Sequence, residues 1–148
     1  MESLGLVLST LVVTMEFLAL RPGPSPVPTP RAIRRLVRRF RALAPLGHWL
    51  VLVVTLEECP SCAPVGMWLT HWKQRLSHAA ADAPHFLAVG HGDVDLSWAQ
   101  LDRAGIRAYP VLALLDPRGR VIAVELAFRE HVWDKLLAEL IPRVPGGR

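Results

Sequence analysis

Residues 50–56 read LVLVVTL, an unbroken apolar run rich in β-branched side chains, and residues 59–62 read Cys-Pro-Ser-Cys immediately after it. A continuous run of this kind suits a strand covered on both faces, because a strand with one wet face would alternate polar and apolar residues. A sheet carrying such a strand needs helices on each side. The two cysteines then fall at the exit of a central strand, just before a predicted helix over 63–80 that carries Trp68, Leu69, Trp72 and Leu76 on one side.

The rest of the chain supplies the covering layers. Over 31–41, Ile33, Leu36, Val37 and Phe40 recur at helical spacing while arginines fill the other face. A short strand is predicted over 86–89 and a short helix over 97–104, stopped by Gly105. Strands over 111–115 and 121–126 flank Asp116-Pro117-Arg118-Gly119, which suits a tight turn with Pro second and Gly fourth. A last helix places Val132, Leu136 and Leu140 on one stripe, joined by Trp133, Leu137 and Ile141, before Pro142. The order is helix, strand, helix, strand, helix, strand, strand, helix, and it predicts an α/β sandwich with a mixed central sheet flanked by helices.

The chemistry of Cys59 and Cys62 follows from their place. Unpaired N–H groups and the dipole of a helix N-terminus stabilise a thiolate, which makes Cys59 the candidate nucleophile. Two intervening residues let the second sulfur reach the first, so Cys62 is the candidate resolving thiol. A zinc site of two cysteines and two histidines would have to use His85 and His91, which flank a predicted strand at a poor spacing, and the chain has no other cysteine. A purely structural bridge would close a tiny loop and add little stability. No metal and no cofactor is expected, and the expected partners are protein thiols or disulfides. The six histidines are scattered and default to surface or satisfied structural roles.

The N-terminus is different in kind. The chain is 51% hydrophobic, and part of that excess lies in residues 4–20 (LGLVLSTLVVTMEFLAL), a run of 17 with one charge, Glu16. This is near the lower limit for a single transmembrane helix. A cleaved signal peptide is the main alternative, but no Lys or Arg precedes the run and no small-x-small cleavage pattern follows it; a buried N-terminal helix is the other. Residues 21–30 (RPGPSPVPTP) hold five of the 13 prolines and read as a semi-rigid spacer. The expected organisation is an anchor over 1–20, a linker over 21–30, a folded domain over 31–142 and a tail over 143–148. The domain would be that of a single-pass membrane protein.

The net charge of +4 comes largely from Arg21, Arg31, Arg34, Arg35, Arg38, Arg39 and Arg41. The positive-inside rule puts the domain in the cytoplasm, yet six of these arginines lie on the predicted helix and say less about insertion. Thiol-disulfide chemistry allows a periplasmic or other extracytoplasmic side. A basic stripe beside a membrane segment would draw anionic lipid to the 31–41 arginines. Nucleic acid is not expected, since no aromatic stacking platform or nucleic-acid motif accompanies the charge.

Residues 31–142 resemble a thioredoxin-like domain. The resemblance is carried by LVLVVTL, by Cys-Pro-Ser-Cys opening a helix, and by G-I-R-A-Y-P-V-L-A-L-L-D-P-R-G-R-V over 105–121. It implies that Pro110 is a cis-proline facing the cysteine pair and that the backbone of Tyr109 pairs with a bound substrate peptide. Pro110 read without the resemblance is an ordinary trans proline opening a strand. Three positions depart from thioredoxins proper: Glu58 stands where a Trp precedes the first cysteine, Pro-Ser replaces Gly-Pro, and Val53 takes the place of a buried acid that assists proton transfer. Glu57 and Glu58 are expected as solvated loop residues. The anchored layout resembles tethered thiol-disulfide proteins of cytochrome c maturation or membrane redox-complex assembly. A non-catalytic accessory subunit that keeps the fold with idle cysteines is the alternative.

Overall fold

The computed structural model describes residues 26–79 and 83–141. The expected anchor, most of the linker and the tail lie outside the described residues. Among those described, no helix is long and apolar enough to cross a membrane.

Five strands form one sheet in the order β3-β2-β1-β4-β5: β1 Leu50–Val54, β2 His85–Gly90, β3 Val94–Asp95, β4 Val111–Leu115 and β5 Val121–Glu125. β1 pairs parallel with β2 and antiparallel with β4, which in turn pairs antiparallel with β5. The sheet is mixed, as the sequence predicts. All five residues of β1 are buried, and their alternation divides the interior in two. Leu50, Leu52 and Val54 face one core with Ile33 and Leu36, while Val51 and Val53 face a second with Trp68 and Trp72.

Each face has its helices. α1 (Pro30–Arg39) buries Ile33, Leu36 and Val37 and leaves its arginines exposed; Thr29 caps it by accepting from the Ala32 N–H at 3.1 Å. α3 (Trp98–Arg103) opens with a capping box between Ser97 and Gln100 and buries Leu101 in the same core. On the other face lie α2 (Ala63–Leu76), entered through a 3₁₀ turn at Pro60–Cys62, and α4 (Glu130–Leu140).

Several boundaries move from the sequence expectation for identifiable reasons. α2 stops at Leu76 rather than residue 80, where both the N–H and the Oγ of Ser77 turn back to the Gln74 carbonyl. In α4 the centre of the buried stripe is Trp133 and Leu137, with Val132, Leu136, Leu140 and Ile141 half-buried at its margins. β3 has only two residues and offers no periodicity to read. The 116–119 turn closes as expected, the Gly119 N–H reaching the Asp116 carbonyl at 2.8 Å with Gly119 at φ +82°.

Candidate redox site

The ends of three strands converge. Val54 pairs with Val89 on one side and with Val111 on the other, so the loop leaving β1, the loop leaving β2 and residues 109–110 meet at one end of the sheet. Thr55 ties two of these loops together: its N–H donates to the Val89 carbonyl at 3.1 Å and its hydroxyl to the His91 carbonyl at 3.2 Å. The approach is close enough that a Cβ on Gly90, which sits at φ +95°, would run into the Thr55 carbonyl.

Cys59 and Cys62 are joined as a disulfide at this end. Cys59 is half-buried, with its sulfur 3.4 Å from the Ser61 hydroxyl, whereas Cys62 is only 4% exposed. Of the two sulfur-bearing residues, Cys59 is therefore the one more open to a partner. The Cys62 N–H donates to the Cys59 carbonyl at 3.0 Å in the turn that leads into α2. No side chain caps α2 and its first turn holds no acid, so no group of that turn offsets the amide dipoles beside the cysteine pair.

A cavity of about 370 Å³ lies beside the disulfide, with Val53, Thr55 and Leu69 in its wall. Val53 is fully buried, so the wall presents a branched hydrocarbon where the resemblance would place a carboxylate. Among the lining residues, Glu57 and His91 are the groups able to take up a thiol proton. His91 is a residue that sequence reasoning assigned no role; its only local signal is a glycine on each side, Gly90 and Gly92, both at positive φ. Glu57 and Glu58 are exposed loop residues, as expected.

Tyr109–Pro110 is a cis peptide, and Pro110 is buried at the same sheet end as the cysteines. Tyr109 is half-buried and its hydroxyl donates to the Ile106 carbonyl at 3.3 Å. Burial, and then the nearby Asp102 carboxylate, push the Tyr109 phenol above its ordinary value.

The two histidines of the conceivable zinc site are separated. His85 opens β2 beside Leu50 and stacks on His48 with ring centroids 4.2 Å apart, while His91 follows the far end of the same strand. Among the described residues no group of three or more His, Cys, Asp or Glu side chains could hold a metal ion. Trp68, Trp72 and Trp133 are core residues.

No protein-family model matches the chain, and no curated protein matches it. Among solved structures, it is similar to mitochondrial thioredoxin 3 of Saccharomyces cerevisiae in its oxidised form, at 21% identity over 70% of this chain and 89% of that one, with a TM-score of 0.49. It is similar also to a thiol:disulfide interchange protein of Chlorobium tepidum, at 16% identity over 64% and 80% of the two chains and a TM-score of 0.49. A thiol-disulfide isomerase of Corynebacterium glutamicum is similar at 18% identity over 67% and 84%, with a TM-score of 0.44. The chain itself combines a mixed five-stranded sheet between helices, a Cys-x-x-Cys disulfide at a strand-to-helix junction and a cis-proline at the same sheet end.

Proposed function

We propose that the protein is a membrane-tethered thiol-disulfide oxidoreductase that exchanges its Cys59–Cys62 pair with protein partners. The observation that carries this reading is the disulfide itself, with one accessible sulfur and one buried sulfur at the uncapped start of α2. In the oxidising direction a partner thiolate attacks Cys59 Sγ; the Cys59–Cys62 bond breaks and Cys62 leaves as a thiolate that takes up a proton. A second partner thiolate then attacks the partner's own sulfur in the mixed disulfide. The partner's disulfide closes and Cys59 departs as a thiolate. Two electrons pass from the partner dithiol to this chain, and the reverse sequence reduces a partner disulfide.

Tyr109 and Pro110 shape the groove where a partner peptide lies, the backbone of Tyr109 pairing with it. His91 and Glu57 relay the Cys62 proton in place of the missing buried acid. Residues 4–20 span the membrane once, the prolines of 21–30 form a semi-rigid spacer between that segment and the domain, and the 31–41 arginines face anionic lipid. The working context is assembly of a membrane redox complex or maturation of a cytochrome.

Val53 at the wall of the cysteine cavity favours a second reading, an accessory subunit of a membrane complex whose cysteines are idle. The two readings separate on one comparison. In cells relying on this chain, replacement of both Cys59 and Cys62 by Ser abolishes its biological activity if it is an exchanger. Full activity of the double variant leaves only the accessory role.

A further inference from the structure

Among the described residues, five arginines gather at the pole opposite the disulfide. A cavity of about 290 Å³ opens between α1 and the β4–β5 turn, with Arg34, Arg38 and Arg41 on one side and Arg118 and Arg120 on the other. Its floor is apolar, made by Val37, Ala44 and Leu115, and among the described residues no carboxylate lines it. Arg34 and Arg38 share a helix face four residues apart, whereas Arg118 and Arg120 arrive from a turn distant in sequence.

The site is held together by the fold. The Gly47 N–H donates to the Pro117 carbonyl at 3.0 Å, tying the loop that leaves α1 to the hairpin turn, and Leu46 lies against Gly119. Asp116, only 6% exposed, fixes the turn from within: it accepts from the backbone N–H of Arg118 and of Arg120 and from Arg120 Nε at 2.7 Å. That ion pair accounts for one guanidinium. Among the described residues none of Arg34, Arg38, Arg41 and Arg118 has an ion-pair partner.

Four uncompensated guanidiniums around one small cavity repel each other, and an anion placed between them removes that repulsion while each fork offers paired donors to phosphate oxygens. The surroundings specify where the anion comes from. Leu43 and Leu46 are 51% and 58% exposed, and Leu46 forms part of the cavity rim. Basic residues interleaved with exposed leucines are the composition of a surface that dips into a headgroup layer. A free phosphate ion would gain nothing from the leucines.

We propose that this cavity binds the phosphate of an anionic lipid headgroup, with Leu43 and Leu46 entering the interface. Because Leu50 pairs with Leu115 while Val54 pairs with Val111, the docked pole and the disulfide are at opposite ends of the sheet. Docking therefore turns Cys59 away from the bilayer, toward partners in the aqueous phase. The proposal deepens the membrane part of the function above and is independent of its redox part.

Hydrogen exchange of the full chain with added vesicles tests it. Vesicles of phosphatidylcholine alone, and of equal parts phosphatidylcholine and phosphatidylglycerol, are compared at residues 41–47 and 116–120. Insertion through residues 4–20 would occur in both and would slow neither loop. The expected result is slower exchange in both loops with the anionic vesicles only. The slowing is lost when Arg34, Arg38 and Arg118 are changed to Gln, since each basic residue near the surface contributes roughly fivefold to partition. It is lost as well at about 1 M salt, where the screening length falls to about 3 Å. These arginines are exposed, and an unchanged urea midpoint verifies that the variant is folded. Equal exchange with both vesicle types overturns the proposal, as does slowing that survives the triple replacement. Slowing produced by inorganic pyrophosphate but not by anionic vesicles overturns the lipid source.

Discussion

The indole N–H of Trp72 donates to Oδ1 of Asp134 at 2.8 Å, and the neighbouring Trp68 donates to the same oxygen at the same distance. One carboxylate on α4 thus satisfies two buried indoles on α2, the helix whose N-terminus carries the cysteine pair. Among the described residues these two are the side-chain hydrogen bonds that join the two helices.

Asp134→Ala leaves both N–H groups without an acceptor. An unsatisfied buried donor costs about 1–3 kcal/mol, so the loss of both bonds should cost roughly 2–6 kcal/mol of stability. Urea unfolding followed by tryptophan fluorescence reads this directly. A loss under about 1 kcal/mol would mean that water replaces the carboxylate.

Gly90 and Gly66 make a matched pair. Gly90→Ala forces a side chain into a positive φ and against the Thr55 carbonyl, and should cost about 1–3 kcal/mol or more. Gly66 lies inside α2 with open space where a Cβ would stand, so Gly66→Ala should stabilise by about 0.5–1 kcal/mol. Chemical denaturation of the two variants should move in opposite directions.

Burial, reinforced by the charge of His48, lowers the pKa of His85 below its ordinary 6.5. The folded chain therefore resists protonation that the unfolded chain accepts. Stability from this source is complete above the unfolded value and is lost as pH falls below about 6.5 toward the folded value. The thermal midpoint should drop across that window, and His85→Gln should flatten the drop. Asp116 acts in a lower window. Its burial raises the carboxyl pKa, but the Arg120 and Arg118 N–H groups and the Arg120 guanidinium outweigh burial and hold it below the ordinary 3.8. Its contribution is lost only as pH falls through that depressed value, so the two groups are separable in one titration.

The site makes kinetic predictions too. Cys62→Ser should accumulate a long-lived mixed disulfide through Cys59, visible on non-reducing gels, while Cys59→Ser should form none. His91→Leu should slow exchange at neutral pH by about a hundredfold, the lower end of the range for a positioned acid-base group, and leave the equilibrium potential unchanged. An unaltered rate would transfer the proton relay to Glu57.

How much of this was legible in the sequence depended on whether the signal was local. The run LVLVVTL announced a strand covered on both faces because every residue of β1 is buried, and Asp116-Pro117-Arg118-Gly119 encoded its turn in four consecutive positions. The Cys59–Cys62 pairing was readable for the same reason. Relationships that join remote segments were not readable. Nothing near Trp68 names Asp134 as its acceptor, nothing near Arg38 points to Arg118, and His91 resembled any surface histidine until β1 and β2 brought it beside the cysteines. The missing buried acid could be suspected from Val53, but its consequence needed the cavity wall.

The central claim is that Cys59 and Cys62 form a working redox couple. The measurement that tests it most directly is the reduction potential of the full chain, obtained by equilibration in glutathione or dithiothreitol buffers followed by thiol trapping. A reversible two-electron couple between about −120 and −270 mV is expected. A pair that never closes, or a disulfide that cannot be re-reduced, would contradict it and leave the thioredoxin-like fold as a binding scaffold.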